Sequence, residues 1–105
     1  MDTVKYSSTG LVYGDCWGGG SGAYAARKLK ADSKEELLAK ANELLKSGGL
    51  DSGMGYKRLK GAMLDIKIET TKVIDGKEFV NTEHEVEFIG DLTEDEQIFL
   101  EQVDY

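Results

Sequence analysis

Two runs of alternating residues flank the segment Ile74-Asp75-Gly76-Lys77, and they commit this chain to an antiparallel sheet. In the first run Ala62, Leu64, Ile66 and Ile68 point one way, and Met63, Asp65, Lys67 and Glu69 the other. In the second, Val80, Thr82, His84, Val86 and Phe88 oppose Asn81, Glu83, Glu85 and Glu87. A period of two marks half-buried strands, and the Asp-Gly pair between them marks a hairpin turn. A two-residue loop Asp75-Gly76 pairs Ile66 with Glu85 and Leu64 with Glu87, which sets carboxylates on the apolar side. A three-residue loop Ile74-Asp75-Gly76, with Gly76 left-handed in a bulge, pairs Ile66 with His84, Leu64 with Val86 and Ile68 with Thr82. It also brings Lys67 across from Glu83, an attractive pair. The alternation therefore predicts the three-residue loop, with His84 on the inner face beside Ile66.

Between this hairpin and the N-terminal region lies SKEELLAKANELLKSGG. Ser33 followed by Glu36 is a capping box. Leu37, Leu38, Ala41, Leu44 and Leu45 form one apolar stripe, and Gly48 or Gly49 supplies a left-handed stop. These signals predict a helix over 34–47. At the other end Thr93 and Glu96 repeat the capping box, acids fill the first turn, and Leu92, Ile98, Phe99 and Val103 make a narrow stripe. A short helix over 94–103 follows.

The segment TVKYSSTGLVYG reads as an extended stretch with a kink at Gly10. Residues 22–31 favour helix by composition. Yet the Asp32-Ser33 cap starts a new helix directly after them and a glycine-rich loop precedes them, so strand is the better assignment. The expected order is β-β-α-β-β-α, a single α+β domain over 1–105. About four antiparallel strands carry two helices packed on the sheet.

Composition then narrows the partners. The net charge of −7 conceals a split. Residues 1–60 hold ten Lys/Arg against seven acids, a balance of +3, whereas 61–105 hold three Lys against thirteen acids, a balance of −10. A pI near 4.7 repels polyanions at long range. Nucleic acid is therefore a disfavoured partner, although Arg27, Lys28 and Lys30 with Lys57, Arg58 and Lys60, near Met54 and Tyr56, could form a basic, aromatic-bearing patch. No run approaches a membrane span, and no basic segment followed by an apolar run opens the chain. The lone Cys16 has no disulfide partner within the chain, which fits a cytoplasmic location.

The loop GDCWGGGSG holds the one cysteine and the one tryptophan. GSGAYA matches the degenerate dinucleotide pattern G-x-G-x-x-A, but the expected strand after it denies the motif its helix. A Cys16 nucleophile would need His84, the sole histidine, as its base. One Cys and one His also leave a metal site without clustered ligands. Trp17, beside three glycines, is either a plug over one end of the core or an exposed anchor for a protein partner.

The reading that results is a non-enzymatic protein-interaction or accessory protein without cofactor or metal. Its acidic C-terminal half docks a basic partner, through Glu83, Glu85, Glu87, Asp91, Glu94, Asp95 and Glu96, with Trp17 as a further anchor. The second reading is an inhibitor that mimics nucleic acid, because glutamates two positions apart repeat at about 6.5–7 Å. An enzyme using Cys16 comes third.

Overall fold

The structure, a computed structural model, describes residues 3–51 and 56–103. Met54 of the suggested basic patch lies outside them. The elements are β1 (Thr3–Cys16), β2 (Ser21–Ala25), β3 (Leu29–Ala31), α1 (Lys34–Ser47), β4 (Tyr56–Ile74), β5 (Lys77–Gly90) and α2 (Glu94–Gln102). The α+β class stands, but the sheet has five strands rather than four. Residues 22–31 are extended in two pieces, broken at Ala26, whose N–H donates to the Gly10 carbonyl at 2.9 Å.

All pairings are antiparallel, in the order β2-β1-β4-β5, and β3 also pairs with β1. β2 and β3 thus share one edge of β1, against Leu11–Asp15 and Tyr6–Ser8 respectively. Gly10 lies between these two segments with φ +139°, where a Cβ would run into the Met63 carbonyl oxygen. Only glycine permits that approach, and the expected kink is there.

Asp75 and Gly76 both have positive φ, 52° and 76°. Two left-handed residues make the two-residue turn whose twist matches that of the strands it joins. Ile66 therefore pairs with Glu85, Leu64 with Glu87, and Lys67 with His84. This overturns the three-residue loop and its predicted pairs, and it moves His84 to the opposite face. The expectation failed because it treated one whole face of β5 as core. β5 is an edge strand: of its residues only Ile89 is buried, so the other side chains on that face can be polar at little cost.

Each helix covers a different face. α1 lays Leu37 and Ala41 over Val12, Ala62, Leu64 and Ile66. Ser33 Oγ accepts from the Glu36 N–H at 3.1 Å, Gly48 (φ +81°) ends the helix, and Leu50 returns fully buried. α2 sets Leu100 against Leu11 and Met63 on the other side, with Tyr13 edge-on to Phe99 at 5.9 Å between ring centres. Its capping box is complete, and Val103 ends it. α2 reaches only the Leu11–Met63 end of its face, so the rest of that face, from Lys5 to Thr9 and Asp65 to Glu69, carries no helix.

β4 and β5 continue beyond β1, whose first described pair is Thr3 with Thr71. The resulting two-stranded arm exposes Val73, Ile74, Phe79 and Val80. It stretches the molecule to 58 × 26 × 20 Å, with a radius of gyration of 15.7 Å. A compact chain of this length would have about 13 Å.

Under α1, Ser8 is 1% exposed and its hydroxyl has no hydrogen-bond partner. An orphaned buried hydroxyl costs about 1–3 kcal/mol. Ser8→Ala is therefore expected to raise the stability by about 1 kcal/mol, read as a higher urea midpoint at unchanged slope.

Candidate functional site

Edge strand β5 brings the sequence-predicted acids into a defined row. Glu83, Glu85 and Glu87 lie on the α1 face, spaced about 7 Å apart. The first residue of α1 reaches over them: Lys34 Nζ is 2.7 Å from Glu85 Oε2 and 2.8 Å from Glu87 Oε1. The hydrogen bond to Glu85, followed by that to Glu87, pushes the Lys34 ammonium well above the ordinary lysine value of 10.5. The three groups are between a third and a half exposed, so water screens the bridge and leaves it a modest contribution. Glu83 has no ion-pair partner among the described residues. Beside the row stand Leu64, Ile66 and Ile68 of β4, not a second line of acids.

The other predicted acids form a separate group. Asp91, Glu94 and Asp95 are exposed around the start of α2, and α2 packs on the face opposite Glu83, Glu85 and Glu87. Glu96 turns inward. It accepts from the Thr93 N–H at 2.9 Å and pairs with Lys60 Nζ at 3.2 Å. The Thr93 backbone hydrogen bond, with Lys60 assisting, holds its carboxyl below the ordinary value of 4.5. A carboxyl held low in the folded state stabilises above its unfolded value and stops doing so as pH falls through the folded one. Glu96→Gln should therefore flatten the loss of stability on acidification below about pH 4.5, measured as urea midpoint against pH.

Trp17 sits at the tip of the β1–β2 hairpin and is 73% exposed. The hairpin closes through the Cys16 N–H to the Gly20 carbonyl at 3.1 Å, and Asp15 accepts from Ser21 Oγ at 2.9 Å. The indole plugs no part of the core. A strand follows the loop, so the G-x-G-x-x-A match has no helix behind it. Ser7 is level with His84 across Lys67 and precedes Cys16 by nine positions. At about 3.3 Å per residue Cys16 and His84 are roughly 30 Å apart and make no dyad. Among the described residues no group of three or more His, Cys, Asp or Glu is placed to hold a metal ion. Trp17→Ala is expected to change stability by less than about 0.5 kcal/mol, as for an exposed site, in thermal or urea unfolding.

The suggested basic patch does not assemble as one. Arg58 pairs with Asp15 at 3.8 Å and Lys60 with Glu96, at the Trp17 end of the sheet. Lys30 lies opposite Ser7, well down β1.

One site escaped the sequence reading. On the helix-free part of the α2 face, Lys5, Ser7 and Thr9 of β1, Asp65, Lys67 and Glu69 of β4, and His84 of β5 line a concavity of about 660 Å³, which continues past Lys28, and past Lys30 of β3, to Asp32 and to Glu36 and Lys40 of α1. His84 Nδ1 lies 3.3 Å from Asp65 Oδ1, and Lys67 Nζ 2.9 Å from Glu69 Oε1. The Lys67 hydrogen bond is the main reason that the Glu69 carboxyl titrates below its ordinary value. The signal was the alternation Lys5, Ser7, Thr9. It became informative only once β1 was known to lie between β3 and β4.

Comparison of the chain with protein-family models, curated proteins and solved structures finds no match. No helix among the described residues is long and apolar enough to cross a membrane.

Proposed function

We propose that this chain is a non-catalytic binding module that docks a basic protein partner by adding an extended segment of that partner to β5. The observation that carries the reading is the free outer edge of β5, a 14-residue strand with β4 on one side and no strand on the other among the described residues. Its backbone offers main-chain hydrogen bonds, and its two side-chain rows offer specificity. One row is Glu83, Glu85 and Glu87; the other carries the exposed Val80 and Val86. A matching segment alternates lysine or arginine with apolar residues. Two copies of β5 paired about a two-fold axis at Glu85 would set this acidic row against itself, which opposes self-association in that register.

The reading as a nucleic-acid mimic has less behind it. A duplex presents two lines of phosphates, and here a single line of acids borders apolar β4 residues. Trp17 lies about 30 Å along the sheet from Glu85, so it would serve a different contact.

A peptide alternating Lys with Val, titrated into isotope-labelled protein, is expected to shift the β5 amides from Glu78 to Glu87 and to slow their hydrogen exchange. Reversal of Glu85 and Glu87 to lysine should cut the association rate at low salt by roughly tenfold and less at high salt, because charge acts mainly on encounter. Equal binding of a Glu/Val peptide, or perturbations away from β5, would reject the proposal.

A further inference from the structure

We infer that the helix-free part of the α2 face is a binding site for a phosphoryl dianion. The inference is independent of the proposal for the β5 edge. Ser7 is its centre. The register places Lys30 of β3 directly across from Ser7 on one side and Lys67 of β4 directly across on the other. Lys5 precedes Ser7 by two positions and so shares its face, and Lys28 stands two positions before Lys30 in the same concavity. Neighbouring strands are about 4.8 Å apart, and same-face residues along a strand about 7 Å. Four long ammonium side chains, of which Lys67 is also paired with Glu69, therefore stand around one half-buried hydroxyl.

The charge distribution points the same way. Lys5, Lys28 and Lys30 have no ion-pair partner among the described residues, although the chain carries a net charge of −7. Lys5 stands across from Glu69, and its charge and that of Lys28 act on that carboxylate only at longer range, as minor contributions to its lowered titration. Placing like charges side by side costs free energy that a bound dianion recovers. Lysine ammoniums around a hydroxyl floor suit the tetrahedral oxygens of phosphate, which accept from several directions at once. Of the acids that line the concavity, Glu69 pairs with Lys67, Asp65 with His84 and Glu36 with Lys40, whereas Asp32 has no ion-pair partner among the described residues. Asp65 and Glu69 stand on either side of Lys67 along β4, and the acidic chain as a whole repels an extended nucleic acid.

Inorganic phosphate and glycerol 3-phosphate, titrated separately at constant ionic strength into labelled full-length chain, are the probes. Saturable shifts are expected at the Ser7, Lys30 and Lys67 amides. Saturation by both marks a phosphoryl site, and tighter binding of glycerol 3-phosphate marks an organic phosphate as the occupant. Lys30→Gln and Ser7→Ala should each weaken binding by about tenfold, whereas Lys46→Gln, on the exposed side of α1, should not. Unchanged dispersion of the amide spectrum shows that the exposed-site variants remain folded, and Lys5→Gln provides a second reading of the same cluster. Linear, non-saturating shifts matched by sodium chloride, or undiminished binding in both Lys30→Gln and Lys5→Gln, would overturn the inference.

Discussion

The left-handed pair Asp75-Gly76 leaves β5 one register against β4, and much of the molecule's surface follows from it. With two residues in the turn, every odd-numbered residue of β5 shares a face with Leu64 and Ile66. Three glutamates therefore stand on the side that α1 covers. They are tolerated because the strand is at the edge, outside the helix's footprint, and because Lys34 at the first turn of α1 reaches two of them. The same register delivers His84 to Asp65 on the opposite face. A one-residue slip would exchange both faces at once.

The sheet thus divides its surface by purpose. Val12, Ala62, Leu64 and Ile66 are sealed under α1, and Leu11 and Met63 under α2. The open surface includes a negative row along the β5 edge and a lysine cluster around Ser7, besides exposed apolar side chains such as Trp17, Phe79 and Val80. The concavity interleaves lysines with carboxylates, whereas the row along the free edge is acidic alone.

Local chemistry was legible in the sequence wherever a residue acts on its near neighbours. Ser33 and Gly48 bound α1 where capping rules put them, and Thr93 with Glu96 did the same for the start of α2. The register was not legible, since the alternation alone assumed that β5 was covered on one face, and only the sheet order shows it to be an edge. The break at Ala26 was hidden for a similar reason: its partners, Gly10 and Asp51, are distant in the chain. The acids of the β5 row could be named from the sequence but not assigned to a side. The Ser7 cluster draws Lys5, Lys30 and Lys67 from three strands, and no short window contains it.

The central position of β1 has a consequence for how the chain reaches this state. Its partner β4 lies far along the sequence, and the pairs from Cys16–Tyr56 to Thr3–Thr71 close loops of roughly 40 to 70 residues. The β1–β2 hairpin, the β4–β5 hairpin and α1 can form from near neighbours, whereas the pairing of β1 with β4 has to wait for β4. During synthesis β1 and α1 emerge before β4, the strand between β1 and β5 on which both pack. Folding of this small domain is therefore expected to be governed by the long-range pairing of β1 with β4, at the slow end for its size.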